Sequence, residues 1–145
     1  MTFLEALYGS QYQEIKSKNG DTTKARFNAN LFLSAFVMLL FFILIVILAT
    51  IFPNLNLGFT KFIKSIFGYS TGKTIGRLIA LPAFFIIYIS IKFTLGNKIR
   101  FEKTVTTFLL YSEEEKNKAN KKILIPFFIL IGIFFFTSMI TLLKR

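Results

Sequence analysis

Two stretches of the chain contain no ionisable side chain, and they constrain the fold more than any other feature. They are Leu31–Phe52 and Ile123–Leu143, which are 22 and 21 residues long. A helix needs about 20 apolar residues to cross roughly 30 Å of hydrocarbon. A water-soluble domain of 145 residues has no room to bury two such segments. The sequence therefore predicts an all-α integral membrane protein.

A third apolar segment is shorter. The 14 residues between Arg77 and Lys92 carry no charge, and as a helix they extend about 21 Å. Both flanking cations can reach the membrane interface on their long side chains, which lengthens the usable segment. We therefore predict three transmembrane helices, over about 31–52, 75–95 and 123–143, within one membrane domain of residues 31–145.

Polar segments outside the predicted spans also carry apolar residues at helical spacing. Residues 2–17 predict an amphipathic helix that packs on the membrane or on the protein's own helices, or else docks a partner. With its polar link this helix forms an N-terminal segment of residues 1–30. Residues 58–68 and 99–111 show the same alternation and are predicted to be short amphipathic interfacial helices.

Two helix starts can be located from their capping sequences. Thr2 with Glu5, and Ser112 with Glu115, fit the Ser/Thr-x-x-Glu pattern of a capping box. The second of these predicts a helix that begins near Ser112, stands in water for its first turns, and runs unbroken into the third span.

Small residues recur every four positions before and within the second span, at Gly68, Gly72, Gly76 and Ala80. Such spacing lets two membrane helices approach closely, and we predict a helix-packing face of Gly72, Gly76 and Ala80. The first two glycines can instead form the turn into the span. Residues 68–74 resemble a phosphate-binding loop, but they are one residue short of its spacing and follow no strand. We therefore predict no nucleotide site.

The charge of the chain is strongly positive, with 18 Lys and Arg against 7 Asp and Glu. The basic residues cluster beside the apolar segments, a pattern typical of contact with anionic phospholipid rather than nucleic acid. The residues predicted to contact headgroups or to reach the interface from helix ends are Lys61, Lys64, Arg77, Lys92, Lys121 and Lys122.

The same charges predict an orientation. With three spans, the N-terminus and the second connection share one side of the membrane, and twelve of the 18 basic residues lie there. The positive-inside rule then predicts a cytoplasmic N-terminus and a periplasmic C-terminus in the bacterial inner membrane. The N-terminus lacks the basic start and apolar run of a cleavable signal peptide, so we expect the first span to be retained.

Little catalytic chemistry is available to this chain. It contains neither Cys nor His, and all seven acidic residues lie outside the predicted spans, whereas membrane enzymes and ion-coupled transporters place ionisable groups at bilayer depth. We predict no enzyme activity and no catalytic, cofactor-binding or metal-binding residue. The layout of an amphipathic N-terminal helix and three spans resembles the small bacterial diacylglycerol kinases. Those enzymes use acidic residues in and beside the membrane helices, and none here matches them.

These features predict a non-catalytic structural or accessory subunit of a larger bacterial inner-membrane complex, in transport, secretion or respiration. Its partners would be other membrane subunits in a hetero-oligomer. One alternative is a small homo-oligomeric channel or membrane-perturbing protein, with Ser90 and Thr94 extending the small-residue stripe along a lumen. Another is a lipid-acting membrane enzyme, in which Arg77 and Lys92 would hold a phosphate.

Overall fold

The computed structural model describes residues 1–52, 61–62, 64–66, 68 and 72–143, and this part of the chain is helical without strands. The principal helices are α1 (Phe3–Ser17), α2 (Thr23–Ile51), α3 (Gly72–Phe93), α4 (Lys98–Leu109), α5 (Glu113–Asn117) and α6 (Ala119–Leu143). The all-α prediction is confirmed.

Two helical segments are long and apolar enough to cross a membrane by themselves, Thr23–Leu48 and Glu113–Ile140. The apolar part of α3, Ile79–Phe93, meets the same length and hydropathy criteria only when α4 is counted with it. These two helices are bent by 69° relative to each other. The described part of the chain therefore has two helices long and apolar enough to span a membrane, or three when this bent pair counts as one span. As a whole, α3 has 22 residues, or about 33 Å of helix, which is enough to cross the hydrocarbon.

The helix that contains the first apolar stretch begins well before it, at Thr23. The Asp21 carboxylate accepts a hydrogen bond from the Thr23 backbone N–H at 2.9 Å and one from the Thr23 hydroxyl at 2.7 Å. These bonds satisfy a backbone donor that an uncapped first turn would leave without a partner. The first turns of α2 are therefore polar and lie outside the predicted span.

Both predicted capping boxes are confirmed. The Glu5 N–H donates to Thr2 Oγ1 at 3.3 Å, and the Thr2 N–H donates to Glu5 Oε2 at 2.5 Å. At Ser112 and Glu115 the two corresponding bonds are both 3.4 Å. From Ser112 the chain runs into the third predicted span as one candidate membrane helix, Glu113–Ile140, interrupted only by a one-residue turn at Lys118 between α5 and α6.

The buried core lies at one end of the molecule. We call this end the polar cap; it consists of α1, residues 23–30 of α2, α4, α5 and residues 119–123 of α6. Helix α1 packs against α2, α4 and α6. The buried apolar residues of the cap are Ala6, Leu7, Tyr8, Ala25, Ala29, Phe101, Val105, Phe108, Ala119 and Ile123.

The apolar sides of α1 and α4 face each other within the polar cap. On α4 the apolar residues Phe101, Val105 and Phe108 are buried. This side of α4 packs on α1, a contact that helical spacing alone does not predict. The amphipathic character of residues 2–17 likewise serves contact with the protein's own helices.

The apolar helices are less enclosed. Helix α2 packs between α3 and α6, and large side chains point outward along all three helices. Of the predicted interfacial helix 58–68, residues 61–62 and 64–66 are helical and exposed. The rest of that segment, including Phe59, Ile63 and Phe67, lies outside the described residues, apart from Gly68.

Candidate functional site

A buried chain of hydrogen bonds joins α1, α2 and the connection between α3 and α4. The Tyr8 hydroxyl on α1 donates to Asn30 Oδ1 on α2 at 2.9 Å, and Asn30 Nδ2 donates to the Gly96 carbonyl oxygen at 3.2 Å. Ser34, one turn further along α2, donates to the Asn30 carbonyl oxygen at 2.6 Å. Tyr8, Asn30 and Ser34 are fully or almost fully buried. These bonds fix α1 and the end of α3 against α2, because leaving such groups unpaired is costly.

Two glycines allow the close approach of these elements. A Cβ atom at Gly96 would lie 1.9 Å from Asn30 Oδ1, and one at Gly9 would lie 1.9 Å from Cγ of the buried Phe108 ring. Cβ atoms in proteins essentially never come within 3.0 Å of a heavy atom that belongs to a residue other than their chain neighbours. The Asn30 contact and the α1–α4 contact therefore both require a residue without a side chain.

A second set of polar contacts anchors the start of the chain. The Tyr111 hydroxyl, between α4 and α5, donates to Glu5 Oε2 at 3.0 Å, and the Lys122 ammonium donates to the Met1 carbonyl oxygen. Hydrogen bonds from the Thr2 backbone and from Tyr111 lower the pKa of Glu5. The same bond to Glu5 raises the pKa of Tyr111.

Burial shifts the pKa of Tyr8 further. It raises the pKa of Tyr8 from its ordinary value of 10.0 to about 12, because the phenolate would have to form without water around it. Tyr8 therefore keeps its proton above pH 10, where an exposed tyrosine loses it, and continues to donate to Asn30 Oδ1. Its role in this arrangement is to hold α1 in place.

Cavities lie at both ends of the molecule. One of about 340 Å³ opens between α1, α2 and α4, and its charged lining residues are Arg26, Lys98 and Glu102. A second, of about 300 Å³, lies between α1 and the α5–α6 junction. A third, of about 120 Å³ and mostly apolar, lies between the far ends of α2 and α6. Among the described residues, no group of three or more His, Cys, Asp and Glu could hold a metal ion.

The residues predicted to contact headgroups are spread over separate elements. Lys61 and Lys64 are exposed between α2 and α3, Lys92 is exposed near the end of α3, and Lys121 and Lys122 are exposed at the start of α6. The side chain of Arg77 lies outside the described part of the chain. Headgroup contact by these six residues remains a prediction.

The predicted helix-packing residues Gly72, Gly76 and Ala80 all lie on α3. Ala80 is half-buried, while the surroundings of 72–78 lie outside the description, so this face too remains a prediction. Ser90 and Thr94 are both exposed, and the Thr94 hydroxyl donates to the Ser90 carbonyl oxygen at 2.6 Å. That hydroxyl serves its own helix, as is common in membrane helices.

The sequence does not predict the Tyr8–Asn30–Gly96 chain. Asn30 suggests only a helix boundary in the sequence, because its partners lie 22 and 66 positions away. The sequence places Arg26 among the basic residues beside the first apolar segment and Lys98 in the second connection, but it does not predict that they share a cavity. Asn30 lies directly before the first predicted span, and this position is the one signal in the sequence that points toward the buried hydrogen-bond chain.

The fold is that of an all-α membrane protein with a packed polar cap at one end of its apolar helices. Comparison with models of protein families, with curated proteins and with solved structures finds no match for this chain.

Proposed function

We propose that this protein is a non-catalytic structural or accessory subunit of a larger bacterial inner-membrane complex, and that α6 binds a helix of another subunit. The observation that carries the proposal is the outward face of α6. Phe128, Phe135 and Phe136 are each more than 60% exposed there. Ile125, Ile129 and Met139 extend the same face at helical spacing.

An open position lies in the middle of this face. Gly132 is exposed, and a Cβ atom built there would meet nothing within 4 Å. Small residues at such positions let a second helix approach the backbone closely, while the large residues around them pack against its sides. Phe128 and Phe136, one turn on either side of Gly132, would supply those contacts.

The polar cap supports the same proposal in a different way. The buried bonds of Asn30 and the packing of α1 on α4 fix one end of the bundle. Because that end is held rigidly, α6 can present its outer face without first paying the entropy of ordering the helices. A preorganised face of this kind suits a permanent subunit contact.

The experiment is affinity purification in mild detergent through a tag on the N-terminus. We expect a membrane partner to be recovered in stoichiometric amounts. The Gly132→Leu variant should lose it, because the new side chain fills the open position. Leu81→Phe is the matched control: it adds bulk at an exposed position of α3 and should retain the partner.

Several results would contradict this proposal. Recovery of a lone monomer, or equal loss of the partner in both variants, would remove the role assigned to α6. Recovery of further copies of the same chain, dependent on Gly132, would favour the homo-oligomeric alternative.

We also propose that the polar cap faces the cytoplasm, on the strength of the charge distribution. Single cysteines at Ser17 and Arg145 can report this, because the chain has no natural cysteine. With an impermeant thiol reagent on intact cells, we expect labelling at position 145 and none at position 17. The reverse pattern would show the opposite orientation.

A further inference from the structure

The cavity of about 340 Å³ in the polar cap is lined by residues from three helices. Tyr12 comes from α1, Arg26 from α2, and Lys98, Phe101 and Glu102 come from α4. Two threonines at the start of α2 add hydroxyl groups. The cavity therefore combines donors, two cations and one carboxylate around a space large enough for a small polar group.

The cations of this cavity are poorly neutralised by the protein. Arg26 is half-buried, and within the described residues its guanidinium has no ion-pair or hydrogen-bond partner. The Lys98 ammonium lies 4.0 Å from the Glu102 carboxylate, with side chains 77% and 60% exposed, so their attraction is weak. Two positive charges against one negative charge favour an anionic ligand.

The location of Arg26 matches the depth of a lipid headgroup. It lies five residues before Leu31, where the uncharged stretch begins, or about 7.5 Å along the helix axis. The headgroup region occupies roughly that distance on each side of the hydrocarbon. A phosphate held by Arg26 would therefore lie at the level of the neighbouring lipid phosphates.

Apolar surface lies next to each cation. Phe27, beside Arg26, is 51% exposed and packs edge-on against Tyr88 of α3, with ring centroids 6.0 Å apart. Ile99, beside Lys98, is 80% exposed. At headgroup depth these residues would lie against the glycerol carbons of a bound lipid. A free phosphate would make no use of them.

We propose that this cavity binds the phosphate of an anionic phospholipid. Arg26 contributes a planar pair of N–H donors suited to two phosphate oxygens, and Lys98 contributes a second positive charge from the opposite wall. The net positive charge selects anionic over zwitterionic lipids. This inference requires insertion in a membrane but no partner protein, so it stands or fails separately from the proposed subunit contact.

The test is native mass spectrometry of the purified protein in detergent with equal amounts of phosphatidylglycerol or phosphatidylcholine. We expect a clear preference for phosphatidylglycerol, and roughly 30-fold weaker binding of that lipid in Arg26→Gln/Lys98→Gln. The control is Arg100→Gln/Lys103→Gln, which removes the same two charge types from exposed positions of α4 outside the cavity. Because exposed charges away from the ligand are screened by salt, it should bind phosphatidylglycerol within about twofold of the unmodified protein.

A further variant guards against loss of folding. Lys98→Gln changes a side chain that is largely in solvent, so it should fold normally and weaken phosphatidylglycerol binding by a smaller factor. Inorganic phosphate is the competing ligand, and we expect no measurable displacement of phosphatidylglycerol at millimolar concentration.

Three results would overturn the proposal. One is unchanged phosphatidylglycerol binding in Arg26→Gln/Lys98→Gln, and another is an equal loss in the control. The third is binding of inorganic phosphate that depends on Arg26 and Lys98 without preference for phosphatidylglycerol, which would assign the cavity to a free anion.

Discussion

The contact between α1 and α4 predicts a specific effect of substituting Gly9 by alanine. The new Cβ atom would lie 1.9 Å from Cγ of Phe108, whereas ordinary contacts begin at 3.4 Å. Phe108 is fully buried, so its ring cannot move into solvent, and the two helices must separate. Overpacking of this kind costs about 1–3 kcal/mol.

The gain in helix propensity offsets part of that cost. Replacing glycine by alanine inside a helix stabilises it by about 0.5–1 kcal/mol. The net loss for Gly9→Ala is then between about 0 and 2.5 kcal/mol, or a fall in Tm of up to roughly 10 °C for a chain of this size. Gly132→Ala is the matched control: it gains the same propensity and meets nothing within 4 Å. Its Tm should stay level or rise by up to about 4 °C.

The assay is thermal unfolding in detergent, followed by the loss of helical circular dichroism. A third variant, Phe108→Leu, makes room beside Gly9. In that background Gly9→Ala should cost less than in the natural sequence, with a coupling of about 0.5–3 kcal/mol between the two positions. If Gly9→Ala has the same Tm as Gly132→Ala, or lowers the Tm equally with and without the Phe108 ring, the Gly9–Phe108 contact does not limit this position.

Two further predictions concern the buried polar chain. In the folded protein Tyr8 keeps its proton up to about pH 12, whereas an unfolded tyrosine loses its proton near pH 10.0. The stability gained by burying the neutral side chain is therefore fully present below pH 10. It is lost as the pH rises toward 12. The Tm of Tyr8→Phe should fall less over this interval, and an unchanged pH profile would contradict the assignment. Asn30→Leu leaves the Tyr8 hydroxyl and the Gly96 carbonyl without their partner, and each unpaired group costs about 1–3 kcal/mol of stability. The Tm of Asn30→Leu should therefore fall well below that of Asn28→Leu, an exposed control on the same helix. Equal Tm values for the two variants would count against the buried network.

The elements that the sequence predicts correctly are those set by local patterns. Uncharged stretches such as 31–52 predict membrane helices because no other environment accepts them. The capping box at Thr2 and Glu5 involves residues three positions apart, so both partners are visible in one short segment.

The misjudged features depend on distant contacts or on a single cap. Helix α2 begins at Thr23, where the Asp21 carboxylate accepts the first hydrogen bonds. It therefore includes residues 23–30, which the sequence predicts to be part of the polar link and not of a helix. The apolar stripe of α4 shows which residues are buried but not what covers them. Here it is α1, held close by Gly9.

The candidate site residues also divide into those that the sequence locates and those that only the fold brings together. Basic residues beside the spans are visible in the sequence, and that rule selected Lys92 and Lys121 from their position alone. It could not show that Arg26 and Lys98, 72 positions apart in the chain, line one cavity. They come together because α4 packs on α1, which in turn packs on α2.

Depth measurement with nitroxide spin labels can show whether the apolar helices lie in lipid and the polar cap in water. Single cysteines are introduced at Phe41 on α2, Phe135 on α6 and Glu114 on α5, all exposed positions, in protein reconstituted into bilayers. Labels at positions 41 and 135 should relax faster with oxygen than with a water-soluble nickel chelate, and the label at position 114 should show the opposite. A label at position 135 that is more accessible to the nickel chelate than to oxygen would place α6 outside the hydrocarbon.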